Sequence, residues 1–535
     1  MNAAFDYVVV GGGSAGCVVA SRLSEDPRTT VCLIEAGPPD KSMFIHMPAG
    51  FVTMVATKFN NWAFETVPQE GLAGRRGYQP RGKTMGGSSS INAMLYVRGH
   101  RWDYDHWASL GNAGWSYDEI LPYFRKAENN EVYGDEFHGK GGPLNVKDPS
   151  FVCDVSRMFV DACNSAGIPT ISDYNGAEQY GACVFQVTQK DGERCSAAKA
   201  YVTPNLSRPN LKVMTRAATR KVVLEGKRAT GVLVQVDGRE TLISARKEVV
   251  LSAGAFGSPQ LLMLSGIGPG EHLQQMGLPV VKDLPGVGGN LQDHVDWIYA
   301  YHGPGNFDTF GLSISGGFRM AREFWKWQTK REGHLTSVIC EAGAFIRSAP
   351  DVEIPDLQFV FVAAKEEDSG RKMHWGHGIS GRVALLRPKS HGTVRLATPN
   401  PADSLLIDPK FFSDEEDLRV LTIGARRLIN VMEQAPLNGP RGRPMYPVDP
   451  SNEGDLVRHI RKYADTQYHA VGTCKMGVDD LAVVDSRLRV WGIAGLRVVD
   501  ASIMPKIVSG NTNAATIMIG EKAAEMIREG ARASL

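Results

Sequence analysis

The sequence predicts an α/β protein, α+β overall. A Rossmann-like dinucleotide-binding domain, discontinuous along the chain, is joined to a second domain built on an antiparallel sheet with helices on one face. Three observations predict this. The β-branched run Val8–Val9–Val10 enters a glycine-rich turn almost at the start of the chain, and an amphipathic segment and a second apolar strand follow. After about residue 310 short strands alternate with polar turns. From residue 480 a βα alternation returns, so the two ends of the chain are expected to meet in space.

Gly11, Gly13 and Gly16 keep the GxGxxG spacing. The first glycine permits the tight turn, the second lets backbone approach a pyrophosphate, and the third allows close helix–strand packing. Val18, Val19 and Leu23 share one face of the helix that follows, and a diphosphate would sit at that helix's positive end. The strand Val31–Leu33–Ile34 then ends at Glu35, where a carboxylate can accept both ribose hydroxyls. The strand–turn–helix–strand–acid context makes this a dinucleotide site rather than a bare βα turn.

Further along, the aromatic and apolar segment Met43–Phe64 lacks clean periodicity and reads as a loop or lid. Residues 101–128 read as helical, with Trp102, Trp107, Ile120, Leu121 and Phe124 as anchors. Strands are expected at Leu211–Met214, Arg220–Leu224, Val232–Val236 and Glu248–Leu251, then a helix over Pro259–Leu264. Strands Leu357–Val362, Val383–Leu386 and Thr393–Ala397, with a helix near 414–433, belong to the second sheet; Leu496–Val499 and a helix from about Ala514 to Arg528 close the first. Residues 1–155, 195–310 and 465–535 are thereby assigned to the dinucleotide-binding domain, and 156–194 and 311–464 to the substrate-binding domain.

Bulk properties exclude several classes. A chain of 535 residues is too long for one simple domain, and 43% hydrophobic content is ordinary for a globular protein. Lys+Arg 59 against Asp+Glu 58 gives no basic excess for nucleic acid. Cys17, Cys32, Cys153, Cys163, Cys183, Cys195, Cys340 and Cys474 form no CxxC or zinc spacing and read as free thiols in a reducing compartment. No cleaved signal and no run of 18 apolar residues is seen. The expected location is cytoplasmic or peripheral to the inner face of the cell membrane. The oligomeric state stays open.

A second cradle, Gly82–Lys83–Thr84–Met85–Gly86–Gly87–Ser88–Ser89–Ser90–Ile91–Asn92, is flanked by the apolar Met94–Val97. Consecutive Gly and Ser let N–H groups converge on one acceptor, a phosphate or a flavin edge. Two cradles suit a large bound cofactor better than a mobile nicotinamide. Near the far end lie Tyr468–His469–Ala470–Val471–Gly472 and Gly510–Asn511–Thr512–Asn513, the latter opening the last helix. A histidine can take a hydroxyl proton, an asparagine amide can hold the same oxygen, and the helix dipole favours developing negative charge.

Three blocks together resemble the glucose–methanol–choline oxidoreductase family of flavoproteins: GGGSAG with Glu35, GKTMGGSSSIN at 82–92, and GAFGSPQLLMLSGIG at 254–268. PGVGGNLQDH at 285–294 and VDASIMP at 499–505 strengthen the resemblance, which covers essentially the whole chain. Within the family, IHMPAG at 45–50, NWAFET at 61–66 and AGAFIRS at 342–348 look most like bacterial alcohol dehydrogenases, polyethylene glycol dehydrogenases and choline dehydrogenase.

The resemblance implies FAD held through Gly11, Gly13, Gly16 and Glu35, with adenine contacts near Val222 and the isoalloxazine against Gly87–Asn92. The cofactor-binding set it implies also contains Ser14, Ala15, Ala36, Trp62, Arg81, Gly82, Met85, Gly86, Ser88, Ala93, Met94, Ala253, Gly254, Tyr468, Asp500, Ala501, Asn511 and Thr512. It implies His469 and Asn513 as the catalytic pair, one taking the alcohol proton and the other positioning the oxygen. Some members attach FAD through a histidine where this chain has Ser90, so the flavin is expected to be non-covalent.

The implied activity is oxidation of primary alcohols, aliphatic or polyether, with electrons passed to a quinone-type acceptor. Peripheral membrane contact is compatible with it. Choline oxidation is the alternative: Glu341 is placed at the substrate pocket, where a carboxylate could pair a trimethylammonium group, although a structural carboxylate is the favoured reading. An O₂-using oxidase and a flavin photodecarboxylase rank lower. The pair His374 and His377 reads as a loop feature, and no metal is expected.

Overall fold

The computed structural model describes residues 3–372 and 374–533. Its first sheet begins with β1 (Ala3–Val10) and β2 (Val31–Ile34), and takes in β3 (Leu211–Met214), β4 (Ala217–Glu225), β5 (Arg228–Val236), β6 (Arg239–Leu251) and β7 (Leu496–Val498). The order is β3-β2-β1-β6-β5-β4, with β7 also on β6. The β3-β2-β1-β6-β7 pairs are parallel, while β4, β5 and β6 form an antiparallel meander. Val8–Val10 and Val31–Ile34 are buried on both faces, which is why they read as continuous apolar runs rather than alternating ones.

Helix α1 (Ser14–Leu23) covers one face and packs against α3 (Asn513–Ala533); α2 (Gly254–Leu264) starts just after β6. Val18, Val19 and Leu23 are buried there, each contributing about 1.5–3 kcal/mol on transfer from water. A Cβ at Gly520 of α3 would lie 2.9 Å from the Val18 Cβ, so glycine sets the closeness of the two helices.

The second sheet runs Asp465–Thr466, Val295–Gly303, His377–Leu385, Leu357–Val362, Ala342–Ile346, Gly181–Val184, all antiparallel. Strand Leu357–Val362 shows its logic. Leu357, Phe359 and Phe361 face the core under helices Asp154–Ser165, Glu415–Met432 and Glu453–Tyr463. Val360 and Val362 point the other way, into a cavity. The Glu415–Met432 helix repeats Leu421, Ala425, Leu428 and Met432 on its buried face, and Asp414 caps it by accepting from the Glu416 N–H.

Four expectations change. The strand expected at Thr393–Ala397 in the second sheet is Thr393–Arg395 and pairs with Leu406–Asp408 in a separate two-stranded sheet. Val295–Gly303 and Asp465–Thr466, assigned to the dinucleotide-binding domain, pair in the second sheet; strand pairing is non-local, and these segments cross between domains. The helix expected over 101–128 is two helices, Arg101–Ser109 and Tyr117–Ala127, broken where Gly111 and Gly114 take φ of +91° and +86°. The segment Met43–Phe64 carries short helices, Met43–His46 and Phe51–Ala56, rather than a plain loop.

Candidate active site

One cavity of about 1490 Å³ runs from the β1–α1 turn to the inner face of the second sheet. Its first end is built by close backbone contacts. A Cβ at Gly11 would meet the Ser252 carbonyl oxygen at 2.3 Å, and one at Gly16 the Gly11 carbonyl oxygen at 1.9 Å. Gly13 has nothing nearer than 3.9 Å and opens onto the cavity, as a diphosphate-facing glycine must. Glu35 accepts from the Gly12 and Gly37 N–H groups at 3.0 and 2.7 Å. Burial pushes its carboxyl up to about 7 against the pull of those donors.

The second cradle meets the first. A Cβ on Gly87 would sit 2.7 Å from the Gly13 Cα, so the two glycine turns touch and jointly form one wall. Arg194 braces this wall from behind, donating to the carbonyls of Ile45 and Ser89 and to Asn92 Oδ1. Ser90 is buried and donates to the Met85 carbonyl at 2.6 Å. Two cavity-lining hydroxyls, Thr219 Oγ1 and Ser252 Oγ, are buried without a protein partner among the described residues. Such groups call for a polar ligand, and the whole site fits FAD.

At the other end stands His469. Tyr468 before it holds φ +70°, and Asp293 Oδ1 accepts the His469 backbone N–H at 2.8 Å. The other Asp293 oxygen accepts from Gln79 Nε2 and Thr466 Oγ1. The next residue, His294, holds the ring: the two Nδ1 atoms are 2.9 Å apart. The Nε2 of His294 is 3.1 Å from the Leu386 carbonyl. A carbonyl only accepts, so His294 carries its proton on Nε2 and accepts at Nδ1. His469 then donates from Nδ1 and presents a bare Nε2 lone pair toward Asn511 Nδ2 at 3.1 Å. Burial pushes the His294 imidazole down to about 3. Burial, then His294, Arg81 and Arg382, drive His469 well below the ordinary histidine range. The resting imidazole is neutral, a base and not an acid.

Of the residues expected at the site, Gly11, Gly13, Ser14, Ala15, Glu35, Ala36, Trp62, Arg81, Gly82, Gly87, Ser88, Asn92, Ala93, Met94, Ala253, Gly254, Tyr468, His469, Asp500, Ala501, Asn511, Thr512 and Asn513 line the cavity. Gly16, Met85 and Gly86 stand behind the wall. Val222 does also: it is buried on β4, and Ala217, Ala218 and Thr219 line the cavity in its place, because the strand enters the site at its start.

The pairing of His469 with Asn513 is corrected. Asn511 faces the imidazole, while Asn513, the first residue of α3, accepts the Ser14 hydroxyl at 2.7 Å and ties the starts of α1 and α3 together. Glu341 is not at the pocket. It is fully buried, accepting from the Cys153 N–H and from Ser156 and Ser337 Oγ. The cavity carboxylate near that sheet is Glu366, which accepts from Arg382 Nη1 at 2.9 Å. His374 meets Glu367, whereas His377 meets Thr309 and Ser313. All eight cysteines are unpaired.

His294 and Asp293 carry no local signal of a functional role. The block 285–294 belongs to the family resemblance, but nothing local in it points at a ring 175 positions away.

A cavity of this kind is that of an FAD-dependent oxidoreductase acting on CH–OH groups. The chain belongs to the GMC oxidoreductase family, whose N-terminal model matches residues 5–296 and whose C-terminal model matches 388–520. It is 43% identical to an alcohol dehydrogenase [acceptor] of Pseudomonas putida, over 98% of this chain and 95% of that one. It is 42% identical to human mitochondrial choline dehydrogenase, over 98% and 90%. Among solved structures, pyridoxine 4-oxidase from Mesorbium loti matches with a TM-score of 0.89 and 32% identity, over 98% of this chain and 99% of that one. An arginine-to-lysine mutant of Aspergillus oryzae RIB40 formate oxidase matches at 0.91 and 27%, over 99% of both.

Proposed function

We propose that the protein oxidises neutral primary alcohols, aliphatic or polyether, to aldehydes, passing the electrons to a quinone-type acceptor. The carrying observation is the bare Nε2 of His469 facing Asn511 at the inner end of the cavity. Non-covalent FAD, held by the two touching glycine turns and Glu35, supplies the hydride acceptor. His469 Nε2 takes the hydroxyl proton, and Asn511 Nδ2–H holds the substrate oxygen as negative charge develops on it. Asp293 fixes the His469 backbone and His294 fixes its tautomer, so the base is oriented before substrate arrives.

The substrate end supports a neutral alcohol. Met47, Phe51, Met320, Leu335, Ile339, Val360 and Val362 line it, and methionine adapts to irregular apolar chains. The nearby Glu366 carboxylate accepts from Arg382 Nη1, while the Nε of the same guanidinium donates to Asp296. Anaerobic mixing of the FAD-loaded protein with 1-octanol, a short polyethylene glycol and choline tests the reading. Fast flavin bleaching by octanol or the glycol is expected, with choline inert; bleaching by choline alone would overturn it.

A further inference from the structure

We propose that the helix Ile314–Lys330 docks on the surface of an anionic lipid bilayer and sets the cavity mouth against it. This helix is apolar on two opposite faces. Its inner face carries Trp327 and Met320, which pack with Met47 and Leu335. Its outer face carries Ile314, Phe318 and Trp325, which are 74%, 77% and 71% exposed. At 100° per residue these three side chains fall within about 40° of one another, roughly opposite Glu323 and Trp327. Trp375, 71% exposed, extends the patch, since the Gly376 N–H after it bonds to the Leu312 carbonyl at 2.7 Å, just before the helix. Exposed aromatic clusters of this kind mark an interaction site.

The charges choose the partner. Arg322, Lys326 and Lys330 form one exposed row at four-residue spacing along the helix, whereas Arg319 donates to the Phe307 and Thr309 carbonyls and the C-cap Arg331 pairs with Glu193. The one acid within it, Glu323, is buried on the inner face. The whole chain carries a net charge of only +1, so this is a local concentration of positive charge. An apolar and aromatic stripe, bordered along one side by a row of long cationic side chains, suits the boundary between headgroups and acyl chains. A second copy of this chain on the same face would oppose cations to cations across a two-fold axis, which like-charge repulsion disfavours.

The position relative to the cavity gives the docking a purpose. Phe310, Gly311, Leu312, Met320 and Gly376 line the cavity and also adjoin or belong to this helix. An alcohol dissolved in the bilayer would enter beside it without crossing bulk water. That use rests on the alcohol reading above; the docking itself does not.

The test is co-sedimentation of the FAD-loaded protein with phosphatidylcholine/phosphatidylglycerol vesicles and with phosphatidylcholine alone, without substrate. Binding to the anionic vesicles is expected, weakened by salt. It should fall about tenfold or more in Phe318→Ser/Trp325→Ser and in Arg322→Glu/Lys326→Glu/Lys330→Glu, with turnover of a water-soluble short alcohol unchanged. Wild-type protein that ignores anionic vesicles, or variants that bind as well as wild type, would overturn the proposal. So would a wild-type dimer that Phe318→Ser/Trp325→Ser makes monomeric. Vesicle binding with no bleaching by any alcohol would overturn the substrate reading and leave the docking standing.

Discussion

The Nδ1 atoms of His294 and His469 lie 2.9 Å apart, and the Leu386 carbonyl on the far side of His294 decides which of them holds the proton. The relay fixes the tautomer of the base before any substrate is bound. Replacing His294 with Phe should slow alcohol-dependent flavin reduction about 10²-fold while KM for the alcohol changes little. His294→Asn, which can still accept from His469 Nδ1, should recover part of the rate. Anaerobic stopped-flow on both variants checks this; equal rates in the two would leave the relay with no role in orientation.

Removing the base itself has a larger effect. His469→Ala should lower the rate of flavin reduction by about 10²–10⁴-fold with FAD still bound at one per chain. Bleaching at the wild-type rate would show that another group takes the proton.

The two asparagines should separate cleanly. Asn511→Ala removes the donor facing His469 and should slow flavin reduction with little change in melting temperature. Asn513→Ala removes the acceptor for Ser14 and should cost stability of about 1 kcal/mol, with flavin reduction much closer to wild type. Paired thermal melts and stopped-flow traces would expose the reverse assignment.

Acid should act late on catalysis. His469 has a pKa well below the ordinary histidine value, so its base form is fully populated at pH 6.5 and above. The acid limb of kcat/KM should lie below pH 6.5 and shift upward only in variants that open the site to water. Stability carries the same sign. His294 and His469 are neutral when folded and gain protons below about 6.5 when unfolded, so stability falls as pH drops through that value. Chemical denaturation at a series of pH values would reveal a flat profile if these imidazoles were already charged in the fold.

Gly87→Ala should release the cofactor. The new Cβ would press on the Gly13 Cα at 2.7 Å, from a backbone with φ +53°. Overpacking of this kind costs about 1–3 kcal/mol. The purified variant should carry less FAD per chain, read from its visible absorbance; full occupancy would show that the turns can part without harm.

What the sequence disclosed and what it hid follows from the range of the interactions. The β1–α1–β2 unit and the Leu357–Val362 strand were legible because periodicity and turn chemistry are local. The sheet that Val295–Gly303 joins was not, since its apolar run carries no mark of its partner. Asn511 and Asn513 are two residues apart in one small-residue loop, and only the start of α3 decides which of them faces the imidazole. Glu341 is the structural carboxylate that the sequence favours, but its donors Cys153, Ser156 and Ser337 come from separate segments that no local pattern identifies. The outward stripe of Ile314–Lys330 was hidden for the opposite reason: its apolar residues blend with those of the inner face into an undivided pattern.

The Ser14–Asn513 hydrogen bond joins residues 499 positions apart, and this has a consequence for biosynthesis. The first glycine turn is therefore translated 499 positions before the residue that closes it. Between those two points a nascent chain offers flavin only a half-built socket, and loading must wait until residue 513 has cleared the exit tunnel. Flavin supply then acts only on chains that carry both turns, so starvation should leave apoprotein extending past residue 513.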